Sequence, residues 1–145
     1  MSTSVDAHAL VSAARDLIRD DDAATAGLWP RAAALLARQG LELAMARLWE
    51  VTAPGLERAS TRCQLLCVGD MLNDRELGGR ATLTWHSLSN ACHHRVYELP
   101  PTASELNLAL ETVWDLAESV ERLRGKMRAD ESPIFRCPAF RTFRG

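Results

Sequence analysis

The chain has 145 residues, 47% hydrophobic and 25% charged, which suits one globular domain with a core of its own. A net charge of −2 leaves no global positive field to gather nucleic acid, so any such contact needs a local patch. No apolar run approaches the roughly 18 residues of a membrane span and no secretory leader is evident, so a cytoplasmic protein without a membrane partner is expected.

A first helix is predicted over about 5–19, with Leu10, Ala13, Ala14, Leu17 and Ile18 inward. Asp20, Asp21 and Asp22 end it badly, because acidic residues oppose the negative end of its dipole, and a loop runs through Gly27. Pro30 opens a second helix that continues to about Val51, before Thr52-Ala53-Pro54-Gly55 stops it. Ala34, Ala37, Leu41, Ala44, Met45 and Leu48 share one side of it, while Leu36 and Leu43 lie on another. A helix apolar on two sides, with Gly40 permitting close approach, belongs at the centre of a bundle.

A third helix, about 60–72, is expected to bury Cys63, Leu66, Cys67 and Met71. The following stretch, 73–80, is polar and Gly-rich and reads as an exposed, mobile connection. The fourth helix is placed at about 82–97, and Pro100-Pro101 break the chain after it. Thr102 and Glu105 form a T-x-x-E capping box at the start of the fifth. There Leu106, Leu110, Val113, Ala117, Val120, Leu123 and Met127 recur at helical spacing. Acidic residues early and Arg122, Arg124, Lys126 and Arg128 late match the helix dipole.

The fold class expected is therefore all-α: a single-domain, up-and-down bundle of about five helices over 1–128. Residues 129–145 are expected to form an irregular C-terminal tail, which contains the chain's three phenylalanines, Phe135, Phe140 and Phe143. Arg136, Arg141 and Arg144 interleave with them, between Pro133 and Pro138. Either the aromatics dock on the bundle, or arginines and rings engage phosphates and bases of single-stranded RNA, or the segment meets a partner.

The fourth helix carries the functional signal. His86, Asn90, His93 and Tyr97 have offsets that fall within roughly 60° on a helical wheel. Trp85, Leu88, Cys92 and Val96 line the opposite side, and His94 borders the polar stripe. Histidine is the natural acid or base near neutral pH, so two imidazoles beside an amide and a phenol suit metal-independent RNA cleavage. Such a site wants an arginine for the phosphate. Arg80 stands at the mouth of the helix, and Arg95 lies on another side of it. A plainer alternative is that the histidines satisfy backbone carbonyls and Tyr97 closes the helix end.

No metal or other cofactor is expected. His86, His93 and His94 lack carboxylate partners in the stripe, and Cys63 and Cys67 lack the C-x2-C spacing typical of zinc. Cys63, Cys67 and Cys92 read as small core hydrophobes, and all four cysteines, Cys137 included, fit a reducing compartment.

An alanine-rich five-helix bundle with a long second helix and a late polar, histidine-bearing helix resembles the HEPN superfamily (higher eukaryotes and prokaryotes nucleotide-binding domain). The run from His86 through Asn90, His93, His94 and Tyr97 to Thr102 is similar to small actinobacterial-type HEPN proteins. The resemblance covers about 10–125 and omits the tail. It implies an RNA-associated homodimer and, in active members, an R-x4–6-H motif facing its copy. Arg80 and His86 have that spacing, which would make them the catalytic pair, with Asn90, His93, His94 and Tyr97 binding substrate. The residue after Arg80 is Ala81, where the family has a polar side chain. A second alignment puts Asn90 at the arginine position, and the motif is then absent. The resemblance thus implies a weak or degenerate metal-independent ribonuclease of a toxin–antitoxin or defence system, with a nucleotidyltransferase-type antitoxin as partner. The alternative it implies is a non-catalytic helical module that binds a nucleotide or a partner protein.

Overall fold

The computed structural model describes residues 5–20, 27–93 and 99–130. Among these lie five α-helices: α1 (Ala7–Arg19), α2 (Trp29–Thr52), α3 (Thr61–Leu72), α4 (Arg75–Cys92) and α5 (Ala103–Asp130). One 3-10 turn, Leu56–Arg58, joins α2 to α3, and no strand occurs among the described residues. The all-α bundle expected from the periodicity is the observed fold.

α2 is its axis. α1, α4 and α5 all pack on it, and Leu41, Met45, Leu48 and Trp49 are fully enclosed. A β-carbon on Gly40 would lie 3.1 Å from Val113 Cγ1 and 3.6 Å from the Ala7 carbonyl oxygen. The missing side chain is what lets α1 and α5 close on the same turn of α2. Trp49 donates its indole N–H to Gln64 Oε1 at 2.7 Å, while Gln64 donates to the carbonyls of Ala59 and Glu57. One glutamine therefore satisfies the buried indole and ties the α2–α3 connection to the core.

Helix ends follow local chemistry. Asp6 accepts from the Ala9 N–H at 2.7 Å and caps α1, whose buried stripe is Ala7, Val11 and Ala14. Ala13, expected inward, is exposed, and Leu10, Leu17 and Ile18 are half-buried. The stripe is rotated so that Val11, fully buried, lies at its centre. At α5 the capping box is complete: Glu105 accepts from the Thr102 N–H at 2.8 Å, and Thr102 Oγ1 accepts from the Glu105 N–H at 3.2 Å.

Two expectations fail at the α3–α4 corner. Stretch 73–80 is no open connection: Asn73 closes α3 in the left-handed conformation (φ 53°), and Asp74 caps α4 at once by accepting from the Leu77 N–H. Leu77 and Gly78 are buried. A β-carbon on Gly78 would sit 2.6 Å from Gly69 Cα, so the two helices touch backbone to backbone. The glycines that read as breakers are contact residues. This contact also turns α3. Leu65, Val68 and Gly69 face inward, Cys67 is half-buried, and Cys63, Leu66 and Met71 face outward, opposite to the expected packing for all but Cys67. Among the described residues no helix is long and apolar enough to cross a membrane.

Candidate functional site

α4 starts at Arg75 and ends at Cys92, so Arg80 lies inside the helix and the polar stripe outlasts it. Arg80 is directed at α5. Its guanidinium donates to Asp115 Oδ2 at 2.8 Å and to Thr112 Oγ1 at 3.4 Å. Thr112 is buried and donates onward to the Leu108 carbonyl, so the arginine is held by a satisfied partner. With Asp74, Glu76, Trp114, Asp115 and Arg122 it lines an open cavity of about 340 Å³.

His86 leaves α4 from another side. Six residues of α-helix turn about 600°, which separates the two side chains by about 120° around the axis. The imidazole is exposed and stands edge-on to Trp85, ring centroids 5.3 Å apart. Trp85 in turn lies beneath the Arg38 guanidinium of α2 at 5.6 Å.

Asn90 and His93 belong to a third location. With Ser87, Arg31 from the start of α2, and Thr102 and Glu105 from the start of α5, they line a cavity of about 310 Å³. His93 is the C-cap of α4, its N–H shared between the Ser89 and Asn90 carbonyls and its backbone extended. It no longer follows the helical period that placed it in the stripe. Asn90 is ten residues beyond Arg80, or about 15 Å along the axis. The chain therefore brings Asn90 and His93 together, with Arg31 and Ser87, and brings neither to Arg80. His94, Arg95 and Tyr97 lie outside the described residues.

The Asn90 cavity offers a guanidinium, an amide, a hydroxyl and an imidazole, donors of the kind that hold a sugar or phosphate. Glu105 at its rim supplies the opposite charge. Hydrogen bonds from the Thr102 backbone and then its hydroxyl hold this carboxyl below its ordinary value of 4.5. An anionic ligand would therefore seat toward Arg31.

Sequence reasoning missed a second polar cluster, beside Arg80. His8 Nε2 lies 2.8 Å from Glu118 Oε1, and the same imidazole stands edge-on to Trp114 with centroids 4.4 Å apart. The Arg15 guanidinium covers Trp114 at 5.2 Å. His8 and Arg15 are seven apart on α1 and share a face, but nothing in the sequence signals their meeting with a residue about a hundred positions away. Among the described residues no three His, Cys, Asp or Glu side chains gather where a metal could bind.

No family model, no curated protein and no solved structure matches this chain.

Proposed function

We propose that this chain is a HEPN-like, RNA-associated protein that engages RNA along the exposed face of α4. The observation that carries the reading is the cavity at the end of α4, where Asn90 and His93 meet Arg31 and Ser87. His86 stands exposed about one turn before Asn90 on the same helix, so a single strand lying along α4 would reach both.

The enzymatic form of this reading is a metal-independent ribonuclease of a toxin–antitoxin or defence system. It needs an arginine and a histidine on one phosphate. Within one chain Arg80 is engaged by Asp115 and diverges from His86, so that form rests on a homodimer in which a second α4 supplies the missing group. The Arg80–Asp115 pair favours the other reading, a non-catalytic module that binds RNA, a nucleotide or a partner such as a nucleotidyltransferase-type antitoxin.

A labelled single-stranded RNA, incubated with the wild type in EDTA and followed by both anisotropy and gel, separates these forms. Binding is expected of the enzyme and of an RNA-binding module. Cleavage that survives EDTA and disappears in His86→Ala identifies the enzyme, since general acid–base catalysis contributes about 10²–10⁴-fold. Binding without cleavage identifies the module. Absence of binding overturns the RNA reading in both forms and leaves only a module for a nucleotide or a partner protein.

A further inference from the structure

The outer face of the α3–α4 hairpin carries a groove that the RNA reading does not use. Gly69, Gly78 and Gly79 floor it with backbone, leaving about 310 Å³ between Leu66, Asp70 and Thr82. A β-carbon on Gly79 would meet nothing within 4 Å, so the slot opens outward. Leu66 on one rim is 74% exposed, and Leu83, one turn beyond Gly79, is 72% exposed. Two leucines standing out beside a backbone-floored slot make an apolar surface suited to burying flat rings.

We propose that this groove is the docking site of the chain's own residues 131–145, with phenylalanine rings seated on the glycine floor. Three observations select this occupant. First, all three phenylalanines of the chain and Ile134 lie in that segment, and Pro133 and Pro138 favour the extended backbone that a shallow groove accepts. Second, the rim offers a charge partner. The segment brings Arg136, Arg141 and Arg144, and the exposed carboxylate of Asp70 lines the groove beside Arg75. Asp70 has only a loose contact with Arg75, 3.8 Å between mostly exposed side chains.

Third, the reach suffices. Ser119 and Arg122 of α5 share a cavity with Asp74 and Glu76, so α5 passes the start of α4 and ends a little beyond it at Asp130. The remaining helix from Arg122 adds about 12 Å. Fifteen extended residues span about 50 Å, enough to return to Gly79. Gly79, Leu83, His86 and Asn90 follow one another at helical spacing, so the docked segment would border the exposed polar face of α4.

Two native cysteines report on the proposal. Cys63 is exposed on α3, one turn before Leu66, and Cys137 lies within the segment. The full chain carrying Cys67→Ser and Cys92→Ser is treated with a short bis-maleimide at low micromolar concentration and mapped by mass spectrometry. An intrachain Cys63–Cys137 bridge is expected, slowed at least tenfold by Leu66→Gln with Leu83→Gln. Ser12→Cys, at an exposed position of α1 and in a Cys63→Ser background, should bridge to Cys137 at least tenfold more slowly. Equal rates at the two positions overturn the proposal. So does a Cys63–Cys63 bridge between chains, which would put a second copy on this face. In the wild-type chain, magnetisation transfer between phenylalanine rings and the Leu66 or Leu83 methyls is the independent measurement, and its absence overturns the proposal as well.

Discussion

The Arg80 guanidinium meets the Asp115 carboxylate at 2.8 Å, and this contact governs what α4 can offer a phosphate. The side chains are 37% and 50% exposed, so the pair contributes at most about 1 kcal/mol to stability. Its larger effect is electrostatic. A carboxylate at hydrogen-bond distance cancels the charge an RNA backbone would seek.

Asp115→Asn should release that charge at little cost in stability. Single-stranded RNA is expected to bind about two- to fivefold more tightly, the equivalent of one surface ion pair. The plot of log affinity against log salt should steepen by about 0.7, the contribution of one further phosphate contact. Anisotropy titrations at several salt concentrations measure both. Unchanged affinity and slope would show that Arg80 faces no phosphate.

The Gly69–Gly78 contact makes a sharp stability prediction. Gly78→Ala drives a methyl to 2.6 Å from Gly69 Cα, where only backbone can give way, and should cost about 1–3 kcal/mol. Gly40→Ala meets Val113 Cγ1 at 3.1 Å, which asks for a shift of only a few tenths of an ångström, and should cost less. Urea unfolding of the two variants ranks them. A Gly78→Ala variant as stable as wild type would contradict the backbone contact.

The start of α5 should respond to acid through Glu105. Its carboxyl titrates below the ordinary value in the folded chain because Thr102 donates to the charged form. Its contribution is therefore complete above the unfolded pKa and is lost as the pH falls through the lowered folded one. Glu105→Gln should melt lower than wild type at pH 7 and lose less on acidification to about pH 3. Thermal melts across that range provide the comparison. Parallel curves for the two proteins would assign the acid sensitivity elsewhere.

Much of the bundle was legible residue by residue. Pro30 and the Thr102–Glu105 box marked two helix starts, and the predicted core positions Leu41, Met45, Leu48, Leu106 and Leu110 are all buried. The start of α4 was readable too, in Asp74, but Gly78 and Gly79 outweighed it. In isolation a glycine pair weakens a helix, and only a neighbouring backbone makes one member useful. On α3 two apolar stripes compete, Cys63-Leu66-Cys67 against Leu65-Val68-Leu72. Gly69 decides for the second by meeting Gly78.

By itself the sequence determined the helical periods, the Pro30 start and the Thr102–Glu105 cap, because these depend on residues within a turn or two of each other, and the two apolar sides of α2 pointed to its central place. The tertiary structure decided which face of α3 is buried and where each polar group of α4 is sent: Arg80 to Asp115, His86 to solvent beside Trp85, Asn90 and His93 to the cavity with Arg31. It also made the His8–Glu118 pair. Those outcomes depend on residues as far apart as 8 and 118, which meet only after the helices have packed. No local spacing encodes such a meeting.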